Sequence, residues 1–158
     1  MYRNINIYDY STGNLTKTLI GHSNYVNSIE MLSEQYMASG GYDQKVIIWD
    51  LYSYSIKHIL SQHQSGVMCV KRLSSSLMAS ADQSGQIIIW NWLNGSLVHK
   101  LNGHDDYVSS LDLYDDLTLI SGSFDKTIKL WNIKNGQLIK TINTDIQIGA
   151  LMFLNKGK

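Results

Sequence analysis

The sequence predicts an all-β chain assembled as an array of small, near-identical antiparallel sheets, and three observations carry that prediction. Histidines at His22, His63 and His104 recur every 41 residues, tryptophans at Trp49, Trp90 and Trp131 keep the same interval, and each His precedes its Trp by 27. Self-similarity at a fixed period of this length marks stacked structural units. Between these markers lie apolar runs of strand length, separated by the Gly, Asn, Asp and Ser residues that turn a chain. The run ending in each Trp, such as Ile87-Ile88-Ile89-Trp90, is nearly continuous in apolar residues rather than alternating, which implies burial on both faces of a sheet.

Composition narrows the function classes. The 158 residues carry a formal net charge of zero, which argues against a strongly basic nucleic-acid surface. Cys69 is the only cysteine, so neither an intramolecular disulfide nor a multi-cysteine metal site can form. It falls in an apolar strand and reads as a buried, inert thiol. Met1 to Tyr10 is polar where a signal peptide needs an apolar run, and no stretch approaches the roughly 18 apolar residues of a membrane span. The expectation is an intracellular, soluble protein of the cytoplasm or nucleus, with no membrane insertion, no nucleic-acid partner, no metal and no cofactor.

In chain order, residues 1–20 read as the latter half of a unit, its strands c and d. Tyr8-Asp9 stands one period before Trp49-Asp50, Ile5 and Ile7 begin a strand, Thr12-Gly13-Asn14 turns, and Leu15 to Ile20 returns. The first complete unit, 21–61, places strand a at Tyr25 to Ile29, b at Tyr36 to Ser39, c at Lys45 to Trp49 and d at Ile56 to Leu60. The glycines of Gly40-Gly41-Tyr42-Asp43-Gln44 are expected to supply positive φ in the turn from b to c. Tyr52-Ser53-Tyr54 lacks an Asn-Gly pair and predicts a longer or less regular turn from c to d.

The second unit, 62–102, repeats these strands at Gly66 to Val70, Leu77 to Ser80, Gln86 to Trp90 and Leu97 to Leu101, with Asn94-Gly95 as a two-residue hairpin signal. The third, 103–143, restores the full pattern and again has Asn135-Gly136. Residues 144–158 align with strand a of a further unit, with Asp145 in the place of the His. Positions matching Thr118 to Ser123 are unrepresented at the two ends. The expectation is three complete four-stranded units plus a fourth split between the ends and lacking strand b.

The Gly-His pair, the Ser-Gly-x-x-Asp turn and the terminal Trp-Asp or Trp-Asn at constant spacing resemble the WD-repeat family of β-propellers, over essentially the whole chain. The resemblance implies four-stranded antiparallel blades around a central channel, strand a innermost and strand d outermost. Rings of this kind hold about 4–8 blades, so the chain is expected to be part of a larger ring. A less favoured closure joins two chains head to tail, and open blade edges leave self-association possible.

The resemblance further implies a buried hydrogen-bond chain in each blade: Trp49, Ser39, His22 and Asp43 in the first, and Trp131, Ser121, His104 and Asp125 in the third. The second keeps Trp90, Ser80 and His63 but has Ser84 at the aspartate position, with Asp82 two residues early. That blade is therefore expected to be the least rigid. Ser, His and Asp together also invite a hydrolase reading. Recurrence of the set in register with a sealing Trp favours a structural role, so no catalytic residue is expected. His58 and His99 match one another on strand d and read as outer-edge residues, while Asp105-Asp106 and Asp115-Asp116 read as solvated turn charges.

Positions that point to one rim in the family are Tyr25, Asn27 and Tyr42, then Gly66, Met68 and Gln83, then Tyr107, Ser109 and Phe124. Aromatics and Met gathered on one face have the composition of a protein interface. The expected function is a non-catalytic scaffold whose rim binds a protein or peptide partner, with a purely architectural part in a larger propeller or complex as the alternative.

Overall fold

The computed structural model describes residues 3–154. Among these, 14 strands and no helix are found. They form a two-stranded sheet of β1 (Ile5–Tyr8) and β2 (Leu15–Leu19), then three four-stranded antiparallel blades. Blade 1 holds β3 (Val26–Met31), β4 (Tyr36–Gly41), β5 (Val46–Asp50) and β6 (Ser55–Leu60). Blade 2 holds β7 (Val67–Arg72), β8 (Leu77–Asp82), β9 (Ile87–Asn91) and β10 (Ser96–Leu101). Blade 3 holds β11 (Val108–Asp115), β12 (Thr118–Ser123), β13 (Thr127–Asn132) and β14 (Leu138–Asn143). In every blade the strands are bonded in sequence order, the simplest outcome of short turns between antiparallel neighbours.

The core lies between blades. Alternate side chains of a strand face opposite ways, so Val46 and Ile48 of β5 join Val67, Val70, Met78, Ile88 and Trp90 of blade 2. Ile47 and Trp49 of the same strand face the other way and meet Leu19 with Ile5 and Ile7. Likewise Ile87 and Ile89 turn toward Val108, Leu111 and Trp131 of blade 3. This division explains why β5 and β9 are apolar up to and including their Trp, while β13 carries Lys129 within its run. The outermost strand is different: every residue of β14 is exposed.

Two turns depart from expectation. The φ of Gly40 and Gly41 is not positive; both belong to β4, and the left-handed residue of the turn is Gln44, at φ 66°. Gly85 at 91° and Lys126 at 65° occupy the matching places one and two periods later. The glycines serve close approach instead, because a methyl on Gly40 would come within 2.5 Å of Val67 Cγ1 and one on Gly41 within 2.8 Å of His22 Nδ1. The turn from β5 to β6 is neither longer nor irregular. Tyr54 takes φ 55° where Gly95 and Gly136 take 75° and 72°, so a non-glycine residue holds the left-handed place.

Residues 144–154 lie outside the strands but are held along blade 3. The Ile148 N–H donates to Ser123 O at 3.1 Å, the Leu151 N–H to Ser110 Oγ at 3.1 Å and the Phe153 N–H to Asp112 Oδ2 at 2.8 Å. The part of the expected last strand a at 155–158 falls outside the described residues, as do positions 1 and 2. No helix among the described residues is long and apolar enough to cross a membrane.

Candidate functional site

Each blade interior contains one polar relay whose proton order follows from the chemistry of its ends. An indole N–H can only donate and a carboxylate can only accept. Trp49 Nε1 lies 2.8 Å from Ser39 Oγ, which lies 2.8 Å from His22 Nε2, and His22 Nδ1 lies 2.9 Å from each Asp43 oxygen. Ser39 therefore accepts from Trp49 and gives its own proton to Nε2, leaving Nδ1–H to donate to Asp43. Blade 3 repeats the relay: Trp131 to Ser121 at 2.8 Å, Ser121 to His104 at 2.7 Å and His104 to Asp125 at 2.7 Å.

In blade 2 the relay ends on Asp82, and the expected Ser84 is not its acceptor. Trp90 Nε1 donates to Ser80 Oγ at 2.7 Å, Ser80 meets His63 Nε2 at 2.7 Å, and His63 Nδ1 meets Asp82 Oδ2 at 2.7 Å. Asp82 terminates β8 and is completely enclosed. Its other oxygen accepts from the Ser84 N–H at 2.9 Å, the Ser84 hydroxyl at 2.7 Å and the Gln86 N–H at 3.1 Å. A carboxylate two residues early thus reaches the histidine, and the blade expected to be the least rigid has a complete relay.

Proton affinities follow this packing. Burial lowers the His104 pKa below its ordinary value, opposed by the hydrogen bond to Asp125. Burial raises the carboxyls, but the bonds from Thr127 and His104 prevail at Asp125 and bring it to about 2. Asp82 is likewise held low against burial by His63 and Ser84. Burial pushes the Cys69 thiol up to about 12, which keeps it protonated.

The rim is built differently. The turns after β4, β8 and β12 supply Tyr42, Gln83 and Phe124, the start of β7 supplies Met68 and the residue before β11 is Tyr107, all around one groove of about 390 Å³ with Asp106 beside them. Gly66 makes this possible, since a methyl there would meet Tyr42 Cδ1 at 2.8 Å. Tyr107 and Phe124 stack edge to face with centroids 4.7 Å apart, and Tyr25 packs edge-on against Tyr42 at 6.3 Å. Aromatic pairs of this geometry hold one another in place at little entropic cost. Burial raises the Tyr107 pKa.

Four of the sequence-derived rim positions, Tyr25, Asn27, Gly66 and Ser109, are not among the residues lining the groove. Asn27 Nδ2 donates to Val67 O at 2.9 Å, and Ser109 Oγ bonds the carbonyls of Gly122 and Ile148. Asn27 ties blade 1 to blade 2, and Ser109 ties blade 3 to the segment that follows it. Asp106 was missed because an Asp-Asp turn reads as solvated charge; its signal was its place directly before Tyr107. His58 and His99 also have a place, their Nε2 atoms meeting Leu93 O at 3.1 Å and Lys134 O at 3.0 Å across successive blades. Among the described residues no group of three or more His, Cys, Asp or Glu side chains is placed to hold a metal ion.

Stacked four-stranded blades, each closed by a Trp–Ser–His–carboxylate relay, define a β-propeller array. The chain belongs to the WD-repeat family: the WD domain, G-beta repeat, matches at residues 13–50, 54–91 and 95–132. Each match begins at the outer strand of one blade and ends at the third strand of the next, so the sequence repeat interlocks neighbouring blades. No match is found among curated protein sequences.

Among solved structures, the computationally designed Ika4 protein is similar at TM-score 0.79 and 26% identity, covering 86% of this chain and 84% of that one. The designed Ika8 protein is similar at TM-score 0.87 and 24% identity, over 97% of this chain and 48% of that one. The WD40 β-propeller domain of Doa1 is similar at TM-score 0.82 and 20% identity, over 94% and 50%. The chain spans about half the length of the latter two. Propellers of this family generally mediate protein–protein interactions.

Proposed function

We propose that the chain is a non-catalytic interaction scaffold whose aromatic rim groove binds an extended peptide or loop of a protein partner. The observation that carries this is the convergence of Tyr42, Met68, Gln83, Tyr107 and Phe124, from three blades, on one groove. Stacked blades hold these side chains without help from a ligand, so little ordering entropy is lost on binding. Large aromatic and Met surfaces supply the contact area, and Gln83 and Asp106 supply polar direction.

The enclosed relays favour scaffold over hydrolase. Ser39, Ser80 and Ser121 are completely buried, and each hydroxyl already accepts from an indole and meets an imidazole. A nucleophile needs an open approach to its substrate. A serine-directed fluorophosphonate should therefore label none of the three, and labelling of any one would revive the catalytic alternative.

The groove itself is tested by selecting peptides from a displayed library against the native chain. Selected peptides should lose at least about tenfold in affinity for the Tyr42→Ala/Tyr107→Ala/Phe124→Ala chain, since each anchor removed from an interface centre costs about 1 kcal/mol or more. Peptides that bind that variant as well as the native chain would defeat the assignment.

A further inference from the structure

The chain contains three Asn-Gly pairs: Asn94-Gly95, Asn102-Gly103 and Asn135-Gly136. In such a pair the glycine nitrogen can attack the carboxamide carbon of the asparagine before it, because glycine has no side chain to obstruct the approach and adopts the bent backbone it needs. All three asparagines are exposed, so exposure does not tell them apart. Hydrogen bonding does.

Two of the pairs sit in the hairpin turns before β10 and β14, where both reacting groups are engaged. The Gly95 N–H donates to Asn91 O at 2.9 Å and the Gly136 N–H to Asn132 O at 2.8 Å. The carboxamide oxygens of Asn94 and Asn135 accept from the Ser96 and Gln137 N–H groups, each at 3.0 Å. An imidazole of the preceding blade also lies over each turn, since a methyl on Gly95 would come within 3.2 Å of His58 Cγ and one on Gly136 within 3.0 Å of His99 Cγ. Attack in either turn must first break these bonds.

Asn102-Gly103 is placed otherwise, in the link between β10 and blade 3. The Gly103 N–H meets no acceptor among the described residues, whereas Thr144, one period later, donates its N–H to Lys126 O at 2.8 Å. The Asn102 carboxamide is held only through its oxygen, by a long bond of 3.4 Å from Gln86 Nε2. That bond draws electron density from Cγ and so favours attack there. Nucleophile and carbonyl are both available in the folded chain.

We infer that Asn102-Gly103 is a site of spontaneous deamidation and isoaspartate formation, and that the fold protects the other two pairs from it. The Gly103 nitrogen gives its proton to hydroxide and bonds to Asn102 Cγ; the Cγ–Nδ2 bond breaks, and Nδ2 takes a proton from water and leaves as ammonia. Water then opens the resulting ring. Cleavage between Cγ and the Gly103 nitrogen gives aspartate, and cleavage between the Asn102 main-chain carbonyl and that nitrogen gives isoaspartate. The second product lengthens the main chain just before His104 of the relay, and beside Trp131, whose Cη2 would stand 3.1 Å from a methyl on Gly103. The chemistry therefore acts on the brace of blade 3.

The test ages the 158-residue chain at mildly alkaline pH, folded and in urea, and follows each pair by peptide mass mapping with isoaspartyl methyltransferase labelling. In urea the three pairs should react at similar rates. In the fold Asn102 should react at least about tenfold faster than Asn94 or Asn135, the factor that about 1.4 kcal/mol of added barrier makes. Folded Asn94 or Asn135 reacting as fast as Asn102, or no reaction at Asn102, would overturn the proposal. Ageing should also lower the urea midpoint of the native chain and leave that of Asn102→Gln, which must close a larger ring, unchanged. An equal fall in both would place the damage elsewhere and overturn the link to blade 3, while the rate comparison needs no variant.

Discussion

Blades 2 and 3 reach the same relay from different sequence positions. In blade 3 the carboxylate of Asp125 comes from the turn, 21 residues after His104, and also accepts from the Thr127 hydroxyl at 2.6 Å. In blade 2 it comes from Asp82, at the end of a strand and 19 residues after His63. Both carboxylates also gather backbone N–H groups: Asp82 takes those of Ser84 and Gln86 in its turn, and Asp125 that of Thr127 in its turn and that of Asp105, next to His104. The brace needs a carboxylate within reach of the imidazole and of a turn, and more than one chain position delivers it. Ser84, in the expected position, is itself a donor to that carboxylate.

The largest expected effect sharpens the equality of the two blades. Trp90→Ala and Trp131→Ala should each cost about 3–5 kcal/mol in urea unfolding, because each removes a fully buried side chain and strands a serine. A cost below about 1 kcal/mol for either would break the equivalence. Next, Asp82→Asn should cost about 3 kcal/mol and Asp125→Asn about 2, since the amide turns a donor toward bound N–H groups and Asp82 is the more enclosed. The reverse order would mean that placement in the turn matters more than burial.

Acid unfolding separates the groups by pH. His104 titrates below 6.5 in the fold, so its contribution is whole above 6.5 and declines as pH falls from there toward the lowered folded value. Asp125 titrates at about 2 against an ordinary 3.8, so its contribution is present above 3.8 and is lost as pH falls to about 2. Tryptophan fluorescence across this range should show both windows in the native chain, and His104→Gln should remove the upper contribution from blade 3. Smaller still, Tyr54→Gly should gain about 1 kcal/mol by relieving the left-handed conformation, read as a shift in the urea midpoint. Ser84→Ala should cost about 1 kcal/mol or less, because Asp82 keeps its other donors.

The repeat made most of the fold legible. The 41-residue spacing of His and Trp fixes three blades, and unbroken apolar runs such as Ile87-Ile88-Ile89 disclose sheets covered on both sides. What stayed hidden depended on distance between segments. Gly40 and Gly41 look like turn glycines, because nothing local reveals that Val67 and His22 press against them. Asp82 looked misplaced because its reach across to His63 depends on the geometry of a strand end. At the rim, Tyr42, Met68, Gln83, Tyr107 and Phe124 could be named from sequence, but Asn27 is used between blades 1 and 2 and Ser109 holds the segment after blade 3.

Phe124 and Asp125 are adjacent, yet one lines the rim groove and the other closes the relay beneath it. The most direct test measures, for Phe124→Ala and Asp125→Asn alike, the affinity for a peptide selected on the native chain, under conditions where both variants are folded. Phe124→Ala should weaken binding by about tenfold while costing no more than about 1.5 kcal/mol of stability, the value of its aromatic contact with Tyr107. Asp125→Asn should leave affinity within about twofold, well under the 1.4 kcal/mol that a tenfold change represents. Unchanged binding by Phe124→Ala, or a tenfold loss in folded Asp125→Asn, would contradict the separation of brace from binding surface.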